Sequence, residues 1–164
     1  SGTKGKDALS NHLNFGVFYP LQTFSFNKKI DFTKTPILIE GNSQKSLEKL
    51  KELCRILEVE FEEVDSKKRL HYHLAASFAN NFTNHILSLT DELVNKFKLE
   101  KKFFIPIANE TFKKFQSNKS KESQTGPAVR NDVKTLKKHE EILKKSNYLN
   151  LYKIITKSIK KNDL

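Results

Sequence analysis

"HYHLAASFANNF", residues 71–82, holds two histidines, two adjacent asparagines and no charged residue. Lys, Arg, Asp and Glu make up 30% of the chain, yet none occurs from His71 to Thr90. A stretch of that length would ordinarily hold about six. Around it Leu70, Leu74, Phe78, Phe82, Ile86, Leu89, Leu93 and Phe97 recur every three or four residues, which is the period of an α-helix. Asp65 or Ser66 can cap such a helix, which then runs towards Lys98, about 33 residues or ~50 Å at 1.5 Å per residue. At 100° per residue, His73, Ser77, Asn80 and Asn84 fall within about 60° of one another, with Asn81 on the flank. A solvated helix would carry Lys and Glu there. This one is either a core or interface helix with satisfied amides, or a cleft wall offering hydrogen bonds to a ligand.

Before Asp65 the pattern is that of strands and one helix. "GVFYPL" (16–21) and "TPILIEG" (35–41) are short apolar runs closed by Pro and Gly, and "VEFEEV" (59–64) alternates. Between them "SQKSLEKLKELCRILE" (43–58) begins at a Ser cap and spaces Leu47, Leu50, Leu53, Cys54 and Leu57 as a helix does. Strand, strand, helix, strand is the closing part of an α/β sheet, with few strands to stand alone. After Lys98, residues 103–116, 132–145 and 148–161 read as three further helices, and 117–127 as a polar loop. The expected organisation is an α/β part over 1–64 and an all-helical part over 65–164.

Composition narrows the function classes. The net charge is +11, but of 30 basic residues only Arg55, Arg69 and Arg130 are arginines. Nucleic-acid surfaces favour Arg forks with interleaved aromatics. Lysines spread along helices, as in "KTLKKHEEILKK" (134–145), instead mark solvated faces. A basic nucleic-acid binder is therefore the weakest of three readings. Cys54 alone allows no internal disulfide and no Cys-rich metal site. His71 and His73, two apart, point about 200° from each other on a helix and form no metal pair. The chain has no phosphate loop, no paired-cysteine motif and no run long enough to span a bilayer, so a soluble cytoplasmic protein is expected. With no methionine, residue 1 is not an initiator. "TGPAVRND" (125–132) offers either a turn with exposed backbone beside Arg130 and Asp132, or simply a loop ending in a helix cap.

"YPLQTFS" (19–25), "YHLAASFANNF" (72–82) and "TGPAVRND", in this order, resemble a bacterial family that joins a Rossmann-like domain to domain of unknown function 2520. Its members are described as NADP oxidoreductases related to pyrroline-5-carboxylate reductase and deazaflavin-dependent NADP reductases. The family's helix pattern matches His73, Ala75, Ala76, Asn81 and Phe82, and its glycine loop matches Thr125, Gly126, Pro127, Arg130 and Asp132. Where the family has His-Pro, this chain has Tyr19-Pro20. The resemblance implies the C-terminal portion of a Rossmann-like sheet. A helical bundle of the 6-phosphogluconate-dehydrogenase C-terminal type follows it, and the Gly-rich phosphate turn lies upstream of Ser1. It implies hydride transfer between NADP or NAD and a small carbonyl or imine, with His73 and Asn81, or Asn80 by helical phase, at the substrate. Tyr19, Pro20, Gln22 and Thr23 would line the nicotinamide side, and Thr125, Gly126, Pro127, Arg130 and Asp132 would bind substrate. A homodimer through the helical part is expected, the fragment alone being inactive. A non-catalytic ligand sensor or scaffold of the same fold is the alternative.

Overall fold

In the computed structural model, residues 2–24, 29–117 and 120–161 are described. The chain forms two compact units, Ser1–Lys98 and Leu99–Leu164.

The first unit is built on a three-stranded sheet in the order β1 (Gly16–Pro20), β2 (Ile37–Gly41), β3 (Phe61–Glu63). β1 runs antiparallel to β2, with Gly16 opposite Gly41 and Pro20 opposite Ile37. β3 runs parallel to β2, with Ile37 opposite Phe61. A parallel pair needs a crossover, and α1 (Gln44–Ile56) supplies it. Ser43 caps α1 by accepting the Ser46 N–H, as its position in the sequence predicts. The helix lays Leu47, Leu50 and Cys54 on the sheet, where they close a core with Phe18, Ile37, Ile39 and Val59. β2 is central and buried from Ile37 to Glu40, which explains its unbroken apolar run. Its last buried residue is an acid, and that acid belongs to the site. Burial pushes the Cys54 thiol up from its ordinary value.

Asp65 caps the next helix through the Lys68 N–H. The expected single α-helix to Lys98 is three segments: α2 (Ser66–Ala76), a π-helical stretch from Ser77 to Phe82, and α3 (Thr83–Lys96). In the π stretch the Thr83 hydroxyl donates to the Phe78 carbonyl five residues back, at 3.0 Å. The apolar stripe read from the sequence is largely exposed here: Leu70, Leu74, Phe78, Phe82, Ile86 and Phe97 all face outward, while Val94 is buried. Asp65 therefore marks where strands give way to helices, but the compact unit continues to Lys98. Side chains on α2 bond back to the sheet and to the first residues, and this joins the helix to the α/β part.

The second unit holds α4 (Ile105–Gln116), α5 (Val133–Leu143) and α6 (Leu149–Lys161), each close to where its periodicity places it. Leu136 and Leu143 are its buried residues on α5. His139 on α5 and Tyr152 on α6 are joined, Nδ1 to Oη, at 2.9 Å. No helix among the described residues is long and apolar enough to cross a membrane.

Candidate functional site

β1 ends at Tyr19-Pro20 and α2 carries His73, and the fold brings the two together. Tyr19 Oη lies 3.1 Å from His73 Nδ1, with the rings edge-on and their centroids 6.3 Å apart. Both side chains are half-buried. The Tyr19 hydroxyl can donate to Nδ1 or accept from it, so the contact orients the ring and leaves Nε2 as the nitrogen available to a ligand. The first residues of the chain close over the same ring. A Cβ built on Gly2 would stand 2.5 Å from His73 Nδ1 and 2.7 Å from Cγ, so only glycine fits against this imidazole.

One turn before His73, Arg69 is 1% exposed. Its Nη1 donates to Glu40, itself 4% exposed at the end of β2, and its Nη2 donates to the Lys4 carbonyl at 2.7 Å. Ser66 Oγ donates to both Glu40 oxygens at 2.9 Å and accepts the Lys6 N–H at 3.3 Å. Lys6 Nζ stands 3.6 Å from the same carboxylate. Among the described residues, Arg69 Nε has no partner. None of Gly2, Glu40, Ser66 or Arg69 stands out in the sequence as a site residue. A signal was present: an acid closes the most apolar strand, and an Arg appears where nearly every other basic residue is Lys.

Pro20 ends β1, and the Leu21 N–H beyond it donates to Pro36 at 2.9 Å. Gln22 and Thr23 follow in an exposed loop in which Gln22 Oε1 accepts the Thr23 N–H at 2.9 Å. Asn80 and Asn81 are exposed on the π stretch, and the Asn80 amide donates to Asn81 Oδ1 at 2.8 Å. The π stretch alters the helical arithmetic. In an unbroken α-helix, Asn80 would lie within about 20° of His73 and Asn81 about 80° away. An i→i+5 turn adds about one residue, a lag on the order of 100° across the stretch. Most of that lag is in place by its fifth residue, Asn81. By this arithmetic the stretch brings Asn81, the residue that the family pattern matches, nearer the phase of His73 than Asn80.

Thr125, Gly126, Pro127, Arg130 and Asp132 lie in the second unit. Gly126 has φ +109°, a backbone state that favours glycine, and the turn runs on through Asn131 at φ 51°. Thr125 and Arg130 are exposed. Asp132 is the cap of α5: it accepts the Thr135 N–H at 3.0 Å and the Thr135 hydroxyl at 2.7 Å. Those bonds hold its carboxyl below the usual range. Among the described residues, no group of three or more His, Cys, Asp or Glu could hold a metal ion.

A mixed α/β chain with a small three-stranded sheet and a following set of helices matches an oxidoreductase-like fold. The chain belongs to the family described as domain of unknown function (DUF2520), whose pattern matches residues 35–159. It is similar to a crystal structure from Bacteroides fragilis described as a "putative NADP oxidoreductase", at 34% identity and a TM-score of 0.90, over 98% of this chain and 63% of that one. A protein of Thermotoga maritima shares the fold at 21% identity and a TM-score of 0.74, over 98% of this chain and 66% of that one. The chain thus spans a little under two thirds of the length of either. Among curated proteins none matches.

Proposed function

We propose that this chain is the C-terminal part of an NADP-dependent oxidoreductase. In this reading a hydride passes between the nicotinamide and a small carbonyl or imine. The observation that carries the reading is the hydrogen bond between Tyr19 Oη and His73 Nδ1, in a chain 34% identical to the Bacteroides fragilis protein. Reduction of a C=O or C=N bond needs a proton at the heteroatom as hydride reaches carbon, and an oriented imidazole is suited to deliver it. His73 gives that proton from Nε2 as an imidazolium and is left as the neutral ring, while Tyr19 Oη accepts from Nδ1–H and fixes the ring's orientation. The Asn81 amide, on the same helix face, orients the substrate heteroatom. Arg130 binds a substrate anion or cofactor phosphate.

The residues present fit one end of the dinucleotide. With Tyr19 Oη on His73 and the Thr23 N–H on Gln22 Oε1, the Gln22 amide NH2 and the Thr23 hydroxyl in the exposed loop are the groups suited to a carboxamide, whereas the sequence holds no Gly-x-Gly-x-x-Gly turn for the pyrophosphate. When bound, the cofactor supplies or accepts the hydride. The pyrophosphate turn lies, in this reading, in a segment preceding Ser1. Kinship with pyrroline-5-carboxylate reductase and the deazaflavin-dependent NADP reductases belongs to the same proposal. So do a helical part of the 6-phosphogluconate-dehydrogenase type, a bacterial cytoplasmic setting and a homodimer.

The test is NADPH oxidation by the protein carrying its nucleotide-binding segment, with cyclic imines and small ketones as substrates. His73→Ala should lower kcat by about 10²–10⁴-fold, the usual worth of a positioned acid. NADPH binding without turnover of any such substrate would overturn the catalytic reading and favour a ligand sensor of the same fold.

A further inference from the structure

A buried ion pair is a poor way to stabilise a fold, since desolvation offsets most of its attraction. The Glu40–Arg69 pair, both partners under 5% exposed, is better understood from what it holds. Besides Glu40, the guanidinium reaches the Lys4 carbonyl at 2.7 Å. Glu40 in turn meets Lys6 Nζ at 3.6 Å, and Ser66, bonded to Glu40, accepts the Lys6 N–H at 3.3 Å. Residues 4–6 are therefore tied across the first turn of α2. Two residues earlier, Gly2 rests on the His73 ring one helical turn beyond Arg69, where a Cβ would come within 2.5 Å of Nδ1. Arg69 and His73, four apart, share that helix face.

We propose that the Glu40–Arg69 pair positions His73: by pinning Lys4–Lys6 it seats Gly2 against the imidazole, which holds the ring in one rotamer and one tautomer, Nδ1 on Tyr19 and Nε2 towards substrate. The Arg fork is essential because one planar group must meet a carboxylate and a carbonyl at once, which a lysine ammonium does less well. The value of this arrangement rests on His73 being the proton-handling residue, as proposed above. The arrangement itself does not require turnover.

The experiment reads the imidazole nitrogens directly in ligand-free protein labelled with ¹⁵N-histidine, at about pH 9, where imidazoles are neutral. His73→Gln identifies the His73 signals among the five histidines. The wild-type protein should give two well-separated His73 nitrogen shifts, the mark of one tautomer. In Arg69→Lys the two shifts should move towards each other as the tautomers interconvert. If Arg69→Lys does not fold, Glu40→Gln, which keeps the shape and removes the charge, serves in its place. Gly2→Ala should displace the ring with the ion pair intact. A folded Arg69→Lys or Glu40→Gln protein that melts lower but keeps the wild-type His73 shifts would overturn the proposal, leaving the pair a merely structural one. Averaged shifts in the wild type would overturn it too. An inactive protein can still pass this test and an active one can fail it, so the outcome is separate from that of the NADPH assay.

Discussion

At the scale of single residues, buried charge and half-buried polarity should answer to mutation in opposite ways. Arg69→Ala leaves the buried Glu40 carboxylate with only Ser66 and the more distant Lys6, and should cost about 3–5 kcal/mol in urea unfolding. The double change Arg69→Met with Glu40→Leu should cost far less, because both buried charges are gone and the Lys6 ammonium that loses Glu40 can reach solvent. His73 is half-buried and loses one hydrogen bond, so His73→Ala should cost only ~1 kcal/mol while removing activity. An equal loss in His73→Ala and Arg69→Ala would mean that His73 is a packing residue. Asp132 adds a pH signature. Its carboxyl is held below the usual 3.8 by the Thr135 bonds. The cap therefore contributes fully above the unfolded value and is lost as pH falls through the lower folded one. Thermal unfolding of the wild type should weaken across that acid window, and Asp132→Asn should flatten the dependence. His73 stood out because it lies in a charge-free stretch of a highly charged chain, and Tyr19 through the family pattern, and the fold brings these two side chains together. Gly2 and Arg69 did not stand out, since their importance is a matter of which residues meet across 65 or more positions of chain.

At the scale of elements, periodicity located the three strands among the described residues and five helical runs, one of which holds both α2 and α3. It could not register the π stretch at Ser77–Phe82, since an i→i+5 turn leaves the apolar recurrence almost intact while adding a residue. The chemical consequence is measurable. If the lag estimated for this stretch holds, Asn81 rather than Asn80 comes into phase with His73. Asn81→Ala should then lower kcat/KM by at least tenfold in the NADPH assay, whereas Asn80→Ala should stay within about twofold. The reverse ranking would mean that the helix is unbroken when substrate binds. The stretch also sits in the charge-free segment, whose Asn side chains bond each other. π turns are frequent at functional sites, and this one runs from Ser77 to Phe82 between two α-helical segments.

At the scale of the whole molecule, two expectations concern what this chain needs besides itself. The first is the phosphate turn. Pyrophosphate normally rests on a glycine turn and the helix N-terminus behind it. NADPH titrated against residues 1–164 alone should therefore bind weakly, and micromolar affinity would place the cofactor site within this chain. The second is a cover for the long helix. Leu70, Leu74, Phe78, Phe82 and Ile86 lie along α2, the π stretch and α3, each at least 40% exposed. Phe78 and Phe82 stack edge-on, centroids 4.9 Å apart, with no charged residue between His71 and Thr90 to solvate the face. A contiguous apolar face of this kind is what an association surface presents, and scattered single exposures are not. A second copy of the chain is the expected cover: helices pair readily along such stripes, and a two-fold axis makes one face serve both partners. An obligate pairing of this sort buries on the order of 2,000 Å² or more. Sedimentation equilibrium at low micromolar concentration should report twice the 19.0 kDa chain mass. Phe78→Glu with Phe82→Glu should return it to the monomer, with the far-UV spectrum preserved. A wild-type protein that sediments as a clean monomer, both as this chain and joined to a nucleotide-binding segment, would rule the pairing out.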